Sequence, residues 1–130
     1  MVVVVPSVSV LAYFLGAGTN PALSGITPKT LFELTVSLVL SASAGFGEEL
    51  VFRGYLMRQF SAWTGSRALG LILQGIVFGL AHGFYGKAMM AIMVQGWLLG
   101  LLAYWRKSLR PEMLAHWLQD SMGNVVGFFS

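Results

Sequence analysis

The chain contains no cysteine. That excludes disulfides, thiolate metal sites and a cysteine nucleophile, and it leaves the redox compartment open. Charge is scarce as well: 10% of the 130 residues are Asp, Glu, Lys or Arg, against roughly 25% in a soluble domain. Asp120 is the sole aspartate, and His82 and His116 are the only histidines. What fills the space is apolar, at 56% hydrophobic residues with a mean hydropathy of +0.74. A chain of this kind is an all-α, polytopic transmembrane helical bundle, integral to a membrane and in contact with lipid. At this length it is one compact unit with no room for a separate soluble domain. The net charge of +3 is small and scattered, so it makes no case for a nucleic-acid partner; basic residues in such chains set topology. The run Val2 to Val5 lacks a preceding basic region and does not read as a cleaved signal peptide.

About five helices are expected. Val2 to Leu15 is apolar but interrupted by Pro6, and short of the roughly 20 residues that a full crossing needs. Residues 1–28 thus form a partial or short transmembrane helix plus a turn-rich connector, and residues 29–130 the core. Thr30 to Phe46 begins a second helix that runs on to about Trp63, either straight or kinked at Gly45 and Gly47. Further apolar segments cover Ala68 to Ala81, Ala88 to Trp105 and Glu112 to Phe129. Pro111 is suited to starting the last of them. Gly96 and Gly100 allow close helix approach, here for internal packing rather than dimerisation. Met89, Met90, Met93 and Met113 read as packing residues, not as a thioether metal site.

Against this background one polar stretch stands out: Glu48-Glu49-Leu50-Val51-Phe52-Arg53. A charge near the bilayer centre costs roughly 2.5–3.5 kcal/mol on insertion scales, so such groups mark function by default. Glu49 and Arg53 are four apart with the acid first, the favourable order for a helical ion pair. Glu48 points about 100° away around the helix. Arg53 therefore holds Glu49, and Glu48 remains for chemistry; the plain alternative is a solvated charge cluster at a helix end. Phe78 and His82 share one helical face, as do His116 and Asp120. Either histidine alone reads as a core residue. Together, Glu48, His82, His116 and Asp120 supply two imidazoles and two carboxylates. That set suits a divalent metal such as zinc with a position open for water. It equally suits metal-free hydrolysis, with Glu48 as general base and a histidine stabilising the oxyanion. Isolated polar groups in lipid are costly, so the four are expected to meet in one cavity.

Glu48-Glu49-x-x-x-Arg53, Phe78-x-x-x-His82 and His116-x-x-x-Asp120 resemble the three motifs of the CAAX protease and bacteriocin-processing (CPBP, or Abi) intramembrane protease family. The resemblance spans Glu48 to about Asn124. It implies an intramembrane endopeptidase acting on a peptide or prenylated protein, or in many bacterial members a link to bacteriocin immunity. It places Glu48 on the water, with His82 assisting it or binding metal. His116 and Asp120 would bind metal or stabilise the oxyanion, and Glu49, Arg53 and Phe78 would support them. Two departures accompany the match: the third motif often ends in Asn, where this chain has Asp120, and fewer helices precede the first motif. The chain has no His-Glu-x-x-His and no second aspartate, which argues against other intramembrane metallo- and aspartyl proteases.

A catalytically idle membrane immunity or binding protein that keeps the fold is the competing reading, and a proton or ion carrier a third. The expected location is the bacterial cell membrane. With five crossings, Arg58, Arg67, Arg106, Lys107 and Arg110 fall on one side, placed in the cytoplasm by the positive-inside rule. Simple crossings then leave His82 and His116 near opposite surfaces, a conflict for the structure to resolve.

Overall fold

The computed structural model describes residues 27–83 and 86–129. Among these residues the chain is helical and forms four long helices. The first, α1, runs over Leu31–Thr64; α2 spans Arg67–Ala81, α3 Ala88–Arg106 and α4 Arg110–Phe129. The anticipated helix of Val2 to Leu15 lies outside the described residues, so the structure shows four helices where about five were expected.

Each start and stop has a local cause. Thr30 Oγ1 accepts from Glu33 N at 3.1 Å, and Glu33 Oε2 accepts from Thr30 N at 3.2 Å. This reciprocal capping box satisfies donors that the first turn leaves without partners. The helix ends at Gly65, whose φ of 67° is the left-handed conformation that terminates helices. Ser66 Oγ then caps α2 by accepting from Leu69 N. Pro111 sits in the first turn of α4, where its missing N–H costs nothing.

Polarity is distributed inside out. Arg53, Gln74, Glu49 and Glu112 are among the largest fully buried side chains, while Phe32, Val39, Trp105 and Phe129 lie exposed on the outer surface. An apolar exterior around polar side chains is what a hydrocarbon solvent selects. By length and composition α1 and α3 suffice to cross a membrane, whereas α2 is a shorter apolar helix.

The helices pack as antiparallel neighbours. A Cβ on Gly45 would sit 3.0 Å from Trp117 N, so α1 and α4 touch there backbone to backbone. A Cβ on Gly96 would sit 3.1 Å from the Gly75 Cα, which fixes the contact of α2 with α3. The small residues of the α3 pair thus serve packing within the chain.

Helix α1 is not uniform. Leu50–Leu56 is wound as a π-helix, immediately after Glu49. The irregularity follows the glycine pair and is a wider winding of the chain rather than a kink at the glycines. Single π turns inside α-helices recur at functional sites.

Candidate active site

Burial of Glu49 and Arg53 sets the frame. None of the Glu49 side chain is exposed and the same holds for Arg53, whose Nη1 donates to Glu49 Oε1 at 2.8 Å. Burying a charge costs several kcal/mol even after relaxation, so each group must be paired closely. Arg53 Nη2 donates to the Gly96 carbonyl at 3.2 Å, and its guanidinium lies 4.3 Å from the Phe78 ring centroid. That is cation–π distance. Gln74 Nε2 donates to the same Gly96 carbonyl at 2.9 Å. Arg53 therefore ties α1 to α3 through the backbone and to α2 through Phe78.

Glu49 has a second partner. His116 Nδ1 lies 2.8 Å from the same Oε1 that receives Arg53. With the Nδ1 proton donated to a carboxylate, Nε2 is the atom left for the cleft, a lone pair in the neutral ring and a second donor in the imidazolium. Glu49 thus fixes both tautomer and orientation of His116, from beneath.

Glu48 faces the other way, as its place 100° around the helix predicts. Its side chain is 30% exposed, yet Oε2 itself is buried and lies 3.7 Å from His82 Nε2 and 3.8 Å from His116 Nε2. Asp120 Oδ2 lies 3.7 Å from His116 Nε2. His82 Nδ1 is 2.8 Å from the Phe78 carbonyl one turn back, which places the N–H on Nδ1 and the lone pair on Nε2. Phe78 packs against both imidazoles, at ring-centroid distances of 4.9 Å to His82 and 5.8 Å to His116. All four residues singled out from the sequence line one cleft of about 710 Å³. A smaller hollow of about 340 Å³ beside Lys29 and Glu33 holds none of them.

The conflict over depth dissolves in the length of α1. Glu48 stands 16 residues before Thr64, and His82 lies 15 residues after Arg67 on the returning helix, so the two come level. Helix α4 starts partway along, not at the tip of α1: Leu109 lies beside Gly54, within 3.2 Å of where its Cβ would be. His116 is then one and a half turns into α4, level with Glu48.

The separations among these side chains form a linked series, in which Glu48 Oε2 is shared by His82 and His116, and His116 Nε2 by Glu48 and Asp120. Among the described residues, no three of His, Asp and Glu close on a common point suited to a metal ion.

Some functional neighbours escaped the sequence reading. Gln74 stands one turn before Phe78 and two before His82, a polar series in an apolar helix that was there to be read. Glu112, one turn before His116, is fully buried, with neither carboxylate oxygen in a well-formed hydrogen bond. Gln95 lines the cleft from α3.

A family profile described as type II CAAX prenyl endopeptidase Rce1-like matches residues 30–122. The matched span opens at the cap of α1 and closes just past Asp120, so it encloses all three motifs. YpbD, an uncharacterized protein of Bacillus subtilis (strain 168), is 32% identical over 88 residues, covering 65% of this chain and 42% of YpbD. The chain therefore spans less than half the length of that relative. No solved structure matches. On the extent of the profile match, this chain belongs to the Rce1-like family of type II CAAX prenyl endopeptidases.

Proposed function

We propose that the chain is an intramembrane endopeptidase that hydrolyses a peptide bond in a membrane-associated, prenylated or otherwise lipid-anchored substrate, using a water activated by Glu48. The observation that carries this reading is the approach of Glu48 Oε2 to two imidazole Nε2 atoms, at 3.7 and 3.8 Å. Those gaps are too long for direct hydrogen bonds, yet a water accepting and donating at about 2.8 Å bridges them. Glu48 takes one proton from that water, and His82 Nε2 accepts the other hydrogen to aim the oxygen. The oxygen attacks the scissile carbonyl carbon, the C–N bond breaks, and Glu48 returns its proton to the departing amine. His116 with both nitrogens protonated, and Asp120 in its protonated form, donate to the oxyanion. Glu49 and Arg53 hold His116 in place. No step uses a metal ion. The proposed setting is the bacterial cell membrane, in line with the Bacillus relative.

The test uses purified protein in detergent, a farnesylated peptide, and elemental analysis of the same sample. Wild type should cleave without stoichiometric metal, and Glu48→Gln should lose about 10²–10⁴-fold in rate, the usual worth of a general base. Equal cleavage by both proteins would sink the assignment of Glu48. Full protection by Glu48→Gln in a cellular bacteriocin assay would instead favour the catalytically idle immunity protein.

A further inference from the structure

The cleft extends well past the four residues at its inner end. Ser37, Ser41 and Glu48 line its α1 wall. Eleven residues of helix separate Ser37 from Glu48, about 16 Å at a rise of about 1.5 Å per residue. An extended chain covers that distance in about five residues.

Facing this wall are three carboxamides: Gln95 from α3, with Gln119 and Asn124 from α4. Gln95 is only 4% exposed. Neither Gln95 nor Gln119 hydrogen-bonds to a described residue. Asn124 Nδ2 donates to Ser41 Oγ at 3.0 Å, bridging the cleft. Neither the Gln95 nor the Gln119 amide is among the sealed, unpartnered polar atoms of the interior, so both open onto the cleft, where an occupant can supply their partners. A carboxamide presents a donor and an acceptor side by side, the complement of a peptide unit. An acyl chain offers neither.

We infer that the α1–α4 cleft binds about five residues of an extended polypeptide through its main chain, with Gln95, Gln119 and Asn124 as the groups that read it. The Ser41–Asn124 bond is exchanged for bonds to the incoming chain. The direction of the bound chain, toward Glu48, rests on the endopeptidase reading; the binding itself needs no catalysis.

Because the chain has no cysteine, single-cysteine reporters are clean. Ser37→Cys and Gly123→Cys are made in a Glu48→Gln background, purified in detergent, and reacted with a water-soluble trimethylammonium methanethiosulfonate. Val39→Cys, at a position 61% exposed on the outer face of α1, is the control. Both cleft cysteines should react far faster than the control. Palmitoyl-penta-alanine amide should slow them, while the same lipopeptide methylated at every backbone nitrogen should not. Asn124→Ala or Gln119→Ala should each weaken that protection about fivefold, the worth of one hydrogen bond. Equal slowing by both lipopeptides would mean that the acyl chain occupies the cleft, and unreactive cleft cysteines would mean a dry interior; either overturns the inference. Protection by the peptide alongside a wild type that cleaves nothing would remove the protease reading and leave this one standing.

Discussion

One oxygen of Glu49 serves two helices: Oε1 lies 2.8 Å from His116 Nδ1 and 2.8 Å from Arg53 Nη1. Structure and chemistry are coupled through that atom. Removing Glu49 alone leaves Arg53 buried without its anion, which costs about 3–5 kcal/mol. Glu49→Met should therefore unfold at much lower temperature than wild type. Glu49→Met combined with Arg53→Met removes both charges and should recover most of that stability. Its activity should stay about 10–100-fold down, because His116 loses the partner that orients it. Thermal unfolding in detergent, run beside the peptide cleavage assay, separates the two effects. Full activity in the double variant would show that Glu49 matters for stability alone.

Asp120 distinguishes the two chemistries considered for the site. As a metal ligand it must be ionised, and Asn would bind a divalent ion poorly. As an oxyanion donor it works only when protonated, and Asn is a permanent donor. The proposed mechanism uses the second role, so Asp120→Asn should keep activity and extend it to higher pH. The measurement is a pH–rate profile of both proteins with metal content determined on each. Loss of activity at every pH together with loss of bound metal would establish the metal role.

Gly45 and Gly47 are close in sequence and opposite in tolerance. A Cβ at 45 meets the backbone of Trp117 and Met113 at 3.0 and 3.1 Å, whereas at 47 nothing lies within 4 Å. Gly45→Ala should push α1 away from α4, costing about 1–3 kcal/mol. It should also lower activity, since Glu48 and His116 sit across that same contact. Gly47→Ala should be neutral or stabilising by about 0.4–1 kcal/mol, because it restrains the unfolded chain. Equal effects at the two positions would contradict this packing.

Tyr104 donates its hydroxyl to the Arg67 carbonyl at 2.8 Å, which sets the end of α3 beside the start of α2. Arg67 and the basic loop Arg106, Lys107 and Arg110 thereby gather at one end of the bundle, the end toward which Arg58 also lies. The positive-inside rule predicts a cytoplasmic location for that end. A cysteine at the exposed Ser108 should resist impermeant thiol reagents in intact cells and react once the cells are opened. Reaction from outside would invert the orientation.

That Glu48, His82, His116 and Asp120 would share one cleft was legible because charge is rare in this chain, so every polar group in an apolar helix was conspicuous. The run of α1 from Thr30 to about Trp63 and the start of the last helix near Pro111 were legible too. Depth was not. The lengths of α1 and α2 were anticipated, but counting each segment as one equal crossing set His82 and His116 apart, because nothing in an apolar run says that α4 starts partway along α1, beside Gly54. The carboxamides were overlooked for a different reason. Gln and Asn carry no charge, and only the fold shows that three of them line one cleft.

The π-wound stretch Leu50–Leu56 amounts to an α-helix that has accepted an extra residue. Before it, α1 keeps one face against α4; after it, the face turned inward is the one that meets α2. A helix of single phase has only one continuous seam to offer. The added residue acts as a phase joint, letting one rod answer to two neighbours while Glu49 and Arg53 stay clasped across it. Deleting one of Gly54, Tyr55 or Leu56 would restore a regular helix and force that choice. The resulting protein would keep its hydropathy and all three motifs, and lose the bundle.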